Sequence, residues 1–150
     1  MKHAKIAAML IRKATITDKQ AIIEVLAEAD LHYPGETFDN FWVAEDEKKV
    51  IGIARLEKVN KFYFLTSLGV RTDLQHKGVA SAILKELIKN ADNNIYLYTI
   101  IPEFFQKFGF KITETPSFLP PKAIYGCEEC FPEKCYCMVK LFSDPPISKN

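Results

Sequence analysis

Residues 68–81 read Leu-Gly-Val-Arg-Thr-Asp-Leu-Gln-His-Lys-Gly-Val-Ala-Ser and lead from a predicted strand into a predicted amphipathic helix over 78–90. The first N–H groups of a helix have no intrahelical acceptor, and the helix dipole adds positive potential there. Gly78 and Ala80 are small enough for a phosphate to approach those amides. Cationic side chains lie nearby: Arg71, His76 and Lys77. The stretch is consistent with a phosphate site, and also with a plain turn in which glycine only serves the backbone.

Length and charge restrict the class of protein. The chain has 150 residues, which fits one domain, and its 48% hydrophobic and 26% charged residues are typical of a globular protein. The formal net charge of +1 argues against a dedicated nucleic-acid binder. The apolar run at residues 6–11 is followed by Arg12 and Lys13, and no run approaches the ~18 residues of a membrane span. We therefore expect a cytoplasmic protein that binds neither nucleic acid nor membrane.

Hydrophobic periodicity predicts alternating strands and helices. The predicted strands cover residues 5–14, 41–45, 50–56, 62–70, 95–101, 110–113 and 136–142. The first predicted helix begins at Thr17, which forms a capping-box pattern with Gln20. The third helix begins at Pro102 and ends at Gly109. The order β-α-β-β-β-α-β-α-β-β predicts an α/β (α+β) fold, in which a mixed sheet carries helices on its faces.

A family resemblance follows from residues 75–80, Gln-His-Lys-Gly-Val-Ala, which match the signature Gln/Arg-x-x-Gly-x-Gly/Ala. Residues 64–70 supply the preceding strand, and residues 95–110 the next strand and a short helix that ends in Gly-Phe. Together these features resemble the GNAT superfamily of acetyl-CoA-dependent N-acetyltransferases over residues 5–113. The resemblance implies one GNAT domain over residues 1–150. Its fold would be a mixed, mostly antiparallel sheet with splayed central parallel strands and helices on both faces.

The resemblance also implies a site for acetyl-CoA. The pyrophosphate would sit on the amides of the signature loop, and the pantetheine arm would pair with the main chain at the end of the preceding strand. The acetyl thioester would enter a cleft between Val70 and the strand 96–100, where a main-chain N–H stabilises the oxyanion. The implied cofactor-binding residues are Leu68, Gly69, Val70, Gln75, His76, Lys77, Gly78, Val79, Ala80, Ser81, Phe104 and Phe105. For the two phenylalanines, a plain core role is an alternative that is compatible with this one.

The chain departs from the usual catalytic pattern of that family. Many members have a tyrosine general acid in the short helix, where this chain has Phe104 and Phe105. Many carry a carboxylate base on the signature strand, but residues 62–70 contain no Asp or Glu. The replacement candidates are Tyr98 and Glu36, with Thr99, His32 and Tyr33 as further options. An ordinary structural or surface role is the alternative for each of them, and the catalytic acid and base stay unassigned.

All four cysteines lie in a cysteine-rich loop at about residues 126–138. Cys127, Cys130, Cys135 and Cys137 form the pattern Cys-x2-Cys-x4-Cys-x-Cys, and four thiolates close in sequence suit a structural zinc ion. Redox-active thiols and inert loop cysteines are the alternatives. The loop is similar, more weakly than the signature, to one found before the final strand in proteins like the stand-alone N-acetylglutamate synthases. That likeness does not establish a metal.

These observations lead to one main functional hypothesis and two alternatives. The main hypothesis is an N-acetyltransferase that moves acetyl from acetyl-CoA to the primary amine of a small molecule or amino acid by direct attack. The alternatives are a non-catalytic acyl-CoA-binding sensor or partner-docking module, and a zinc-stapled interaction protein. The loop at residues 31–40 would cover the acceptor side, as the resemblance implies. It shows no arginine pair to hold two carboxylates, so glutamate is not assigned as the acceptor. The resemblance also allows a homodimer.

Overall fold

The computed structural model describes residues 8–35, 37–121 and 135–142. Within these ranges the strands are β1 (Met9–Lys13), β2 (Phe41–Asp46), β3 (Lys49–Val59), β4 (Phe62–Val70), β5 (Ile95–Thr99), β6 (Lys111–Thr113) and β7 (Tyr136–Lys140). The helices are α1 (Lys19–Glu28), α2 (Val79–Asn90) and α3 (Pro102–Gln106). Short 3-10 turns cover Ile16–Asp18 and Thr72–Leu74. In the described part of the chain, no helix has the length and apolarity to cross a membrane.

The seven strands form one sheet in the order β1-β2-β3-β4-β5-β7-β6. Strands β4 and β5 pair in parallel, from Tyr63–Leu65 to Ile95–Leu97. The pairs β1–β2, β2–β3, β5–β7 and β6–β7 are antiparallel. The predicted mixed, mostly antiparallel sheet with a central parallel pair is therefore confirmed. The last strand lies between β5 and β6, so it completes the sheet from inside rather than at its edge.

The predicted element boundaries differ most at the start of the chain. Strand β1 is shorter than the predicted 5–14, and residues 1–7 lie outside the described part. The predicted cap of Thr17 with Gln20 is wrong, because the N–H of Thr15 donates to Asp18 Oδ2 at 2.7 Å and a 3-10 turn precedes α1. Thr15 and Asp18 are also three residues apart, two residues before the predicted pair, and Arg12 on β1 binds the Asp18 carboxylate.

The first of two compact units comprises Met1–Leu56 and Ser67–Lys89. Its core joins α1 to β2 and β3 through Ile22, Val25, Leu26, Phe41, Val43, Val50 and Ile53. Helix α2 approaches β3 closely at Gly52, where a Cβ would lie 2.9 Å from Val79 Cγ1. At Gly69 a Cβ would lie 2.7 Å from Leu31 Cδ1. The two glycines thus let side chains of α2 and of the segment that follows α1 pack directly on β3 and β4.

The second unit comprises Glu57–Thr66 and Asn90–Asn150. Its core is aromatic: the described members are Phe64, Leu119 and Cys137, with Tyr96, Tyr98, Val59 and Phe118 packed against them. Helix α3 follows Pro102 as predicted and is continued by turns up to Gly109, whose φ of 93° suits glycine. The hydrophobic stretch after β5 therefore folds back and places Phe110 ahead of β6.

An ion-pair network fixes the start of α1 to the edge of the sheet in the first unit. Arg12 donates from Nη1 and Nη2 to the two carboxylate oxygens of Asp18, at 2.8 and 3.1 Å, and from Nε to Glu45 at 2.8 Å. The side chain of Asp18 is 8% exposed. The guanidinium of Arg12 is the main cause that lowers the pKa of Asp18 below its usual 3.8, and the Thr15 N–H adds to it.

Replacing Asp18 tests this network. We expect Asp18→Asn to lower the free energy of unfolding at pH 7 by about 2 kcal/mol, because a buried charged hydrogen-bond acceptor is lost. Because folding lowers the pKa of Asp18, its contribution is present above pH 3.8 and disappears as the pH falls through the folded-state pKa. Urea unfolding across this range should therefore show the gap between wild type and variant closing with acid. The exposed Asp73→Asn is the control, and a gap independent of pH would contradict the assignment.

Candidate functional site

The signature loop, residues 75–80, lies in the first unit and contains two residues with a left-handed backbone conformation. Strand β4 ends at Val70, and the turn that follows is anchored by the buried Leu74. Residues 75–78 are exposed, with φ of 64° at His76 and 87° at Gly78. These conformations redirect the chain into α2. The loop therefore presents its backbone to solvent immediately before the helix.

The N-terminus of α2 supplies unused amide donors. The carbonyl of Gly78 accepts from the Ala82 N–H at 3.0 Å, which places Val79, Ala80 and Ser81 in the first turn. Amides of a first turn have no acceptor within their own helix. A Cβ at Gly78 would meet no atom within 4 Å, so the space in front of the helix is open. The geometry has the backbone requirements of an anion site, and the helix dipole reinforces it.

Arg71 anchors the start of the loop. Its Nε donates to the Val50 carbonyl at 2.7 Å, and its backbone N–H donates to the Ile51 carbonyl at 3.0 Å. Its Nη1 and Nη2 donate to Glu28 and Glu24 on α1, at 2.8 and 3.1 Å. The charge of Arg71 is thus offset by two carboxylates. Its main role is to hold the loop, whereas the sequence alone indicated a cation for phosphate.

Glu28 binds the loop backbone as well as Arg71. Its Oε1 accepts from the Thr72 N–H at 3.1 Å. That bond, followed by the interaction with Arg71, lowers the pKa of Glu28. Helix α1 and the signature loop are therefore joined by a cluster of charged side chains.

The remaining predicted loop residues are placed for direct access to an anion. His76 and Lys77 are exposed, and the Gln75 side chain donates to the Val70 carbonyl at 3.3 Å. On β4, Gly69 and Val70 are buried and Leu68 is half-buried. The structure thus brings the predicted loop cations and the helix amides together in one unit. Binding of CoA by these residues stays a prediction.

The two phenylalanines predicted beside the thiol belong to the second unit. Phe105 is buried and packs edge-to-face on Phe110, with ring centroids 5.8 Å apart. Phe104 is half-buried against Phe108 at 5.4 Å. Phe105 therefore has the core role that the sequence allowed, and Phe104 is the more accessible of the two.

The catalytic candidates on β5 are engaged in structural hydrogen bonds. The Tyr98 hydroxyl donates to the Pro120 carbonyl at 2.5 Å, and its ring packs edge-to-face on Phe64. Thr99 Oγ1 accepts from the Ile101 N–H at 2.9 Å. Both bonds hold the end of β5 and the chain that follows. A catalytic role for Tyr98 would have to break or share its bond.

The catalytic candidates in the loop after α1 have different surroundings. Glu36 lies outside the described residues, and His32 is exposed. Tyr33 donates its hydroxyl to the Thr37 carbonyl, and its ring packs edge-to-face on Phe41 at 5.2 Å. The aromatic packing gives this loop a fixed shape in the first unit.

Arg55 contacts the loop between α1 and β2 and is a candidate that the sequence analysis missed. It lies on β3, is 9% exposed, and stacks 5.3 Å from the Tyr33 ring centroid. Its Nη2 donates to Asp39 Oδ1 at 3.1 Å and its Nε to the Asp39 carbonyl at 3.0 Å. The guanidinium lowers the pKa of Asp39, whose side chain is 61% exposed. In the sequence, Arg55 is distinguished only as a charged residue within the otherwise apolar run 50–56.

The cysteine loop is only partly described. Cys127 and Cys130 lie outside the described residues, while Cys135 and Cys137 are buried at the start of β7. Among the described residues, no group of three or more His, Cys, Asp or Glu side chains is arranged to hold a metal ion. The described part of the chain thus gives no support for the predicted zinc site.

A comparison with known protein families assigns the chain to one of them. A family model described as an acetyltransferase (GNAT) domain matches residues 37–112, half of the chain. The chain belongs to the GNAT family and has the fold and enzyme class of a GNAT-type N-acetyltransferase, as the signature loop and sheet predicted. The matched span runs from the end of the loop between α1 and β2 to β6 and includes the whole signature loop.

Solved structures agree with the fold at low sequence identity. N-acetylglutamate synthase from Neisseria gonorrhoeae, complexed with coenzyme A and N-acetyl-glutamate, matches 94% of this chain at 19% identity and a TM-score of 0.71. The chain spans only 37% of that protein. The PaiA N-acetyltransferase from Thermoplasma acidophilum, in complex with coenzyme A, is 19% identical over 90% of this chain and 99% of its own, with a TM-score of 0.66. An alanine N-acetyltransferase of a ribosomal protein from Escherichia coli is 15% identical over 95% of this chain and 98% of its own, with a TM-score of 0.68.

A double-mutant cycle tests the anchor of the loop. We expect Arg71→Gln and Glu28→Gln each to destabilise the protein, with a coupling energy of about 0.5–1 kcal/mol, because the pair is partly exposed. The coupling should shrink in 1 M salt, since ions screen exposed pairs. Chemical unfolding of wild type, both single variants and the double variant measures it. Strict additivity at low salt would contradict the proposed anchor.

Proposed function

We propose that the chain transfers the acetyl group of acetyl-CoA to the primary amine of a small molecule, with an amino acid as the favoured acceptor. The observation that carries the proposal is the exposed loop 75–78, with left-handed His76 and Gly78 in front of the unused amides of α2. Two solved structures of the same fold are complexes with coenzyme A, which supports this cofactor class. The alternative is a module that binds acyl-CoA without turnover.

The proposed pyrophosphate site relies on backbone donors more than on side-chain charge. Arg71 is committed to Glu24 and Glu28, so the loop contributes cationic charge through the exposed side chain of Lys77. Amides of Gly78 to Ser81 would donate to phosphate oxygens, as helix N-termini do elsewhere. The pantetheine arm would then run back along β4 and pair with the main chain of Val70 and Leu68.

Transfer by direct attack requires a neutral amine and a stabilised oxyanion. The amine lone pair forms the C–N bond, the carbonyl electrons move to oxygen, the nitrogen loses a proton to solvent, and collapse of the tetrahedral intermediate expels the CoA thiolate. Strand β4, Phe62–Val70, has no carboxylate to accept the amine proton. Holding the amine next to the thioester supplies much of the acceleration in such a reaction.

An acceptor with a carboxylate is supported by Arg55. In the family resemblance the loop between α1 and β2 covers the acceptor side, and Arg55 reaches this loop from β3. Its guanidinium already holds the exposed carboxylate of Asp39, so it can bind an anion at that surface. An amino-acid carboxylate would compete with Asp39 for the same donors.

Calorimetric titration with acetyl-CoA tests the cofactor site. We expect Gly78→Glu to weaken binding by at least about 100-fold, because a carboxylate would face the pyrophosphate. Gly78→Ala carries the same backbone strain at φ of 87° without the charge, so it is the matched control. We expect it to stay within about tenfold of wild type.

The outcomes separate the hypotheses. Equal losses in both variants would assign the effect to the backbone rather than to charge. No binding by folded wild-type protein would contradict the cofactor assignment. Binding without release of thiol, across a panel of amines and L-amino acids, would favour the non-catalytic module.

Steady-state kinetics tests Arg55. We expect Arg55→Lys to raise the KM for an amino-acid acceptor about tenfold, because lysine cannot make the bidentate contact, while the KM for acetyl-CoA is unchanged. An alkylamine without a carboxylate is the matched substrate, and its KM should not move. Asp39→Asn should lower the KM of the amino acid by removing the competing carboxylate. An equal effect of Arg55→Lys on both amines would exclude carboxylate recognition by Arg55.

A further inference from the structure

Two exposed isoleucines follow β5 in the second unit. Ile100 is 56% exposed and Ile101 is 54% exposed. Among the residues that the structure describes, they are the one pair of exposed large apolar side chains that are neighbours in the chain. Single exposed apolar side chains are common on folded proteins, whereas contiguous ones mark a candidate binding surface.

The backbone holds these isoleucines at the surface. The Ile101 N–H donates to the Oγ1 of the buried Thr99 at 2.9 Å, and the Ile101 carbonyl accepts from the Phe104 N–H at 3.2 Å. Both polar groups of the Ile101 backbone are thus used within the turn from β5 into α3. The position of the two side chains is therefore set by the fold itself.

Phe104 adds an aromatic ring to the same turn. It is half-buried, and its ring lies edge-to-face on that of the buried Phe105, with centroids 5.0 Å apart. The Nζ of Lys107 lies 5.4 Å from the Phe104 ring centroid, so the cation covers part of that ring. Residues 95–102 contain no charged side chain, so the turn itself is apolar.

The size of this surface limits what it can bind. It consists of three side chains, Ile100, Ile101 and Phe104, and we call it the apolar corner. A stable protein interface uses about 20–30 residues on each side, so the apolar corner is too small to hold a protein partner alone. Two neighbouring residues, whose Cα atoms are about 3.8 Å apart, match an aliphatic chain of about four to six carbons.

The position of the apolar corner relates it to the acyl donor. The resemblance places the acyl thioester against the strand 96–100, and Ile100 is the last residue of that range. We infer that the apolar corner binds the aliphatic chain of an acyl-CoA, so that the preferred acyl group is longer than acetyl and has about four to six carbons. This inference rests on the proposed function and names the class of its acyl donor.

A longer acyl group changes no step of the transfer. The amine nitrogen bonds to the acyl carbon, the nitrogen loses a proton to solvent, and the C–S bond breaks with its electron pair on sulfur. The added methylenes take no part in these steps. Their burial stabilises the bound donor by up to about fourfold in affinity per methylene, and we expect about twofold on a surface that stays partly open.

Calorimetric titration of the whole chain with CoA, acetyl-CoA, butyryl-CoA and hexanoyl-CoA tests the inference. Hexanoyl-CoA has four more methylenes than acetyl-CoA, so we expect it to bind about 15-fold more tightly. The affinity for butyryl-CoA should lie between the two. CoA itself, which has no acyl group, is the reference for the rest of the molecule.

Three threonine variants separate the apolar corner from exposed isoleucines in general. Ile100→Thr and Ile101→Thr keep the β-branched shape and replace apolar surface with a hydroxyl. Each should lower the affinity ratio of hexanoyl-CoA to acetyl-CoA by about threefold, with CoA affinity within about twofold of wild type. Ile112 is 50% exposed on β6 of the same unit, so Ile112→Thr is the matched control and should leave the ratio unchanged. Because all three side chains are exposed, the melting temperatures should stay close to that of wild type.

The results separate this inference from the proposed function. Equal affinity for acetyl-CoA and hexanoyl-CoA would overturn the inference and leave the cofactor site in place. An equal loss of CoA and hexanoyl-CoA affinity in Ile101→Thr would assign the apolar corner to the CoA arm and also overturn it. No binding of any of the four compounds by folded protein would overturn both. Preference for hexanoyl-CoA without thiol release, across a panel of amines and L-amino acids, would support the acyl site and contradict transfer.

Discussion

The guanidinium of Arg71 is the interaction on which the signature loop depends. Arg71 directly follows β4, and its Nε donates to the Val50 carbonyl on β3. Its Nη1 and Nη2 donate to Glu28 and Glu24 of α1. Without this guanidinium, the first residue after β4 would be held to β3 by its backbone N–H alone and would have no bond to α1. Because Glu28 also binds the Thr72 N–H, the same cluster sets the turn that leads to the helix.

This anchoring changes how an anion would be bound. A cation that is already paired contributes little net charge, so the affinity of the loop for phosphate would come from amides at the helix N-terminus and from Lys77. Backbone donors act at fixed positions, and this suits a ligand whose far end must be placed accurately. The backbone presents those donors by adopting left-handed conformations at His76 and Gly78.

Much of the fold could be predicted, because local patterns carry it. The predicted strand 62–70 agrees with β4, and the predicted helix 78–90 differs from α2 by one residue. In both segments the apolar period matches the element that forms. The cap formed by Thr15 and Asp18 was missed although the two residues are only three positions apart, whereas the ion pair of Asp18 with Arg12 on another element has no such local pattern.

The same limit applies to the candidate site. Gly78 and the loop were visible in the sequence, since a small residue at a helix start has a local signature. The partners of Arg71 are 43 and 47 residues away, and no local pattern joins them. The partner of Arg55 has no local pattern either, because the contact of this buried β3 side chain with Asp39 is a product of the tertiary structure.

Strand β4 explains why such a site would differ from one with a carboxylate base. Residues 62–70 contain no Asp or Glu that could collect the proton of the amine. The proton of the amine must then be lost before attack, at a pKa of about 8 for a peptide α-amine and about 10.4 for lysine. The rate would follow the ionisation of the acceptor itself. At neutral pH this favours an acceptor amine of lowered pKa over a lysine side chain, and it makes placement of the amine the main task of the protein.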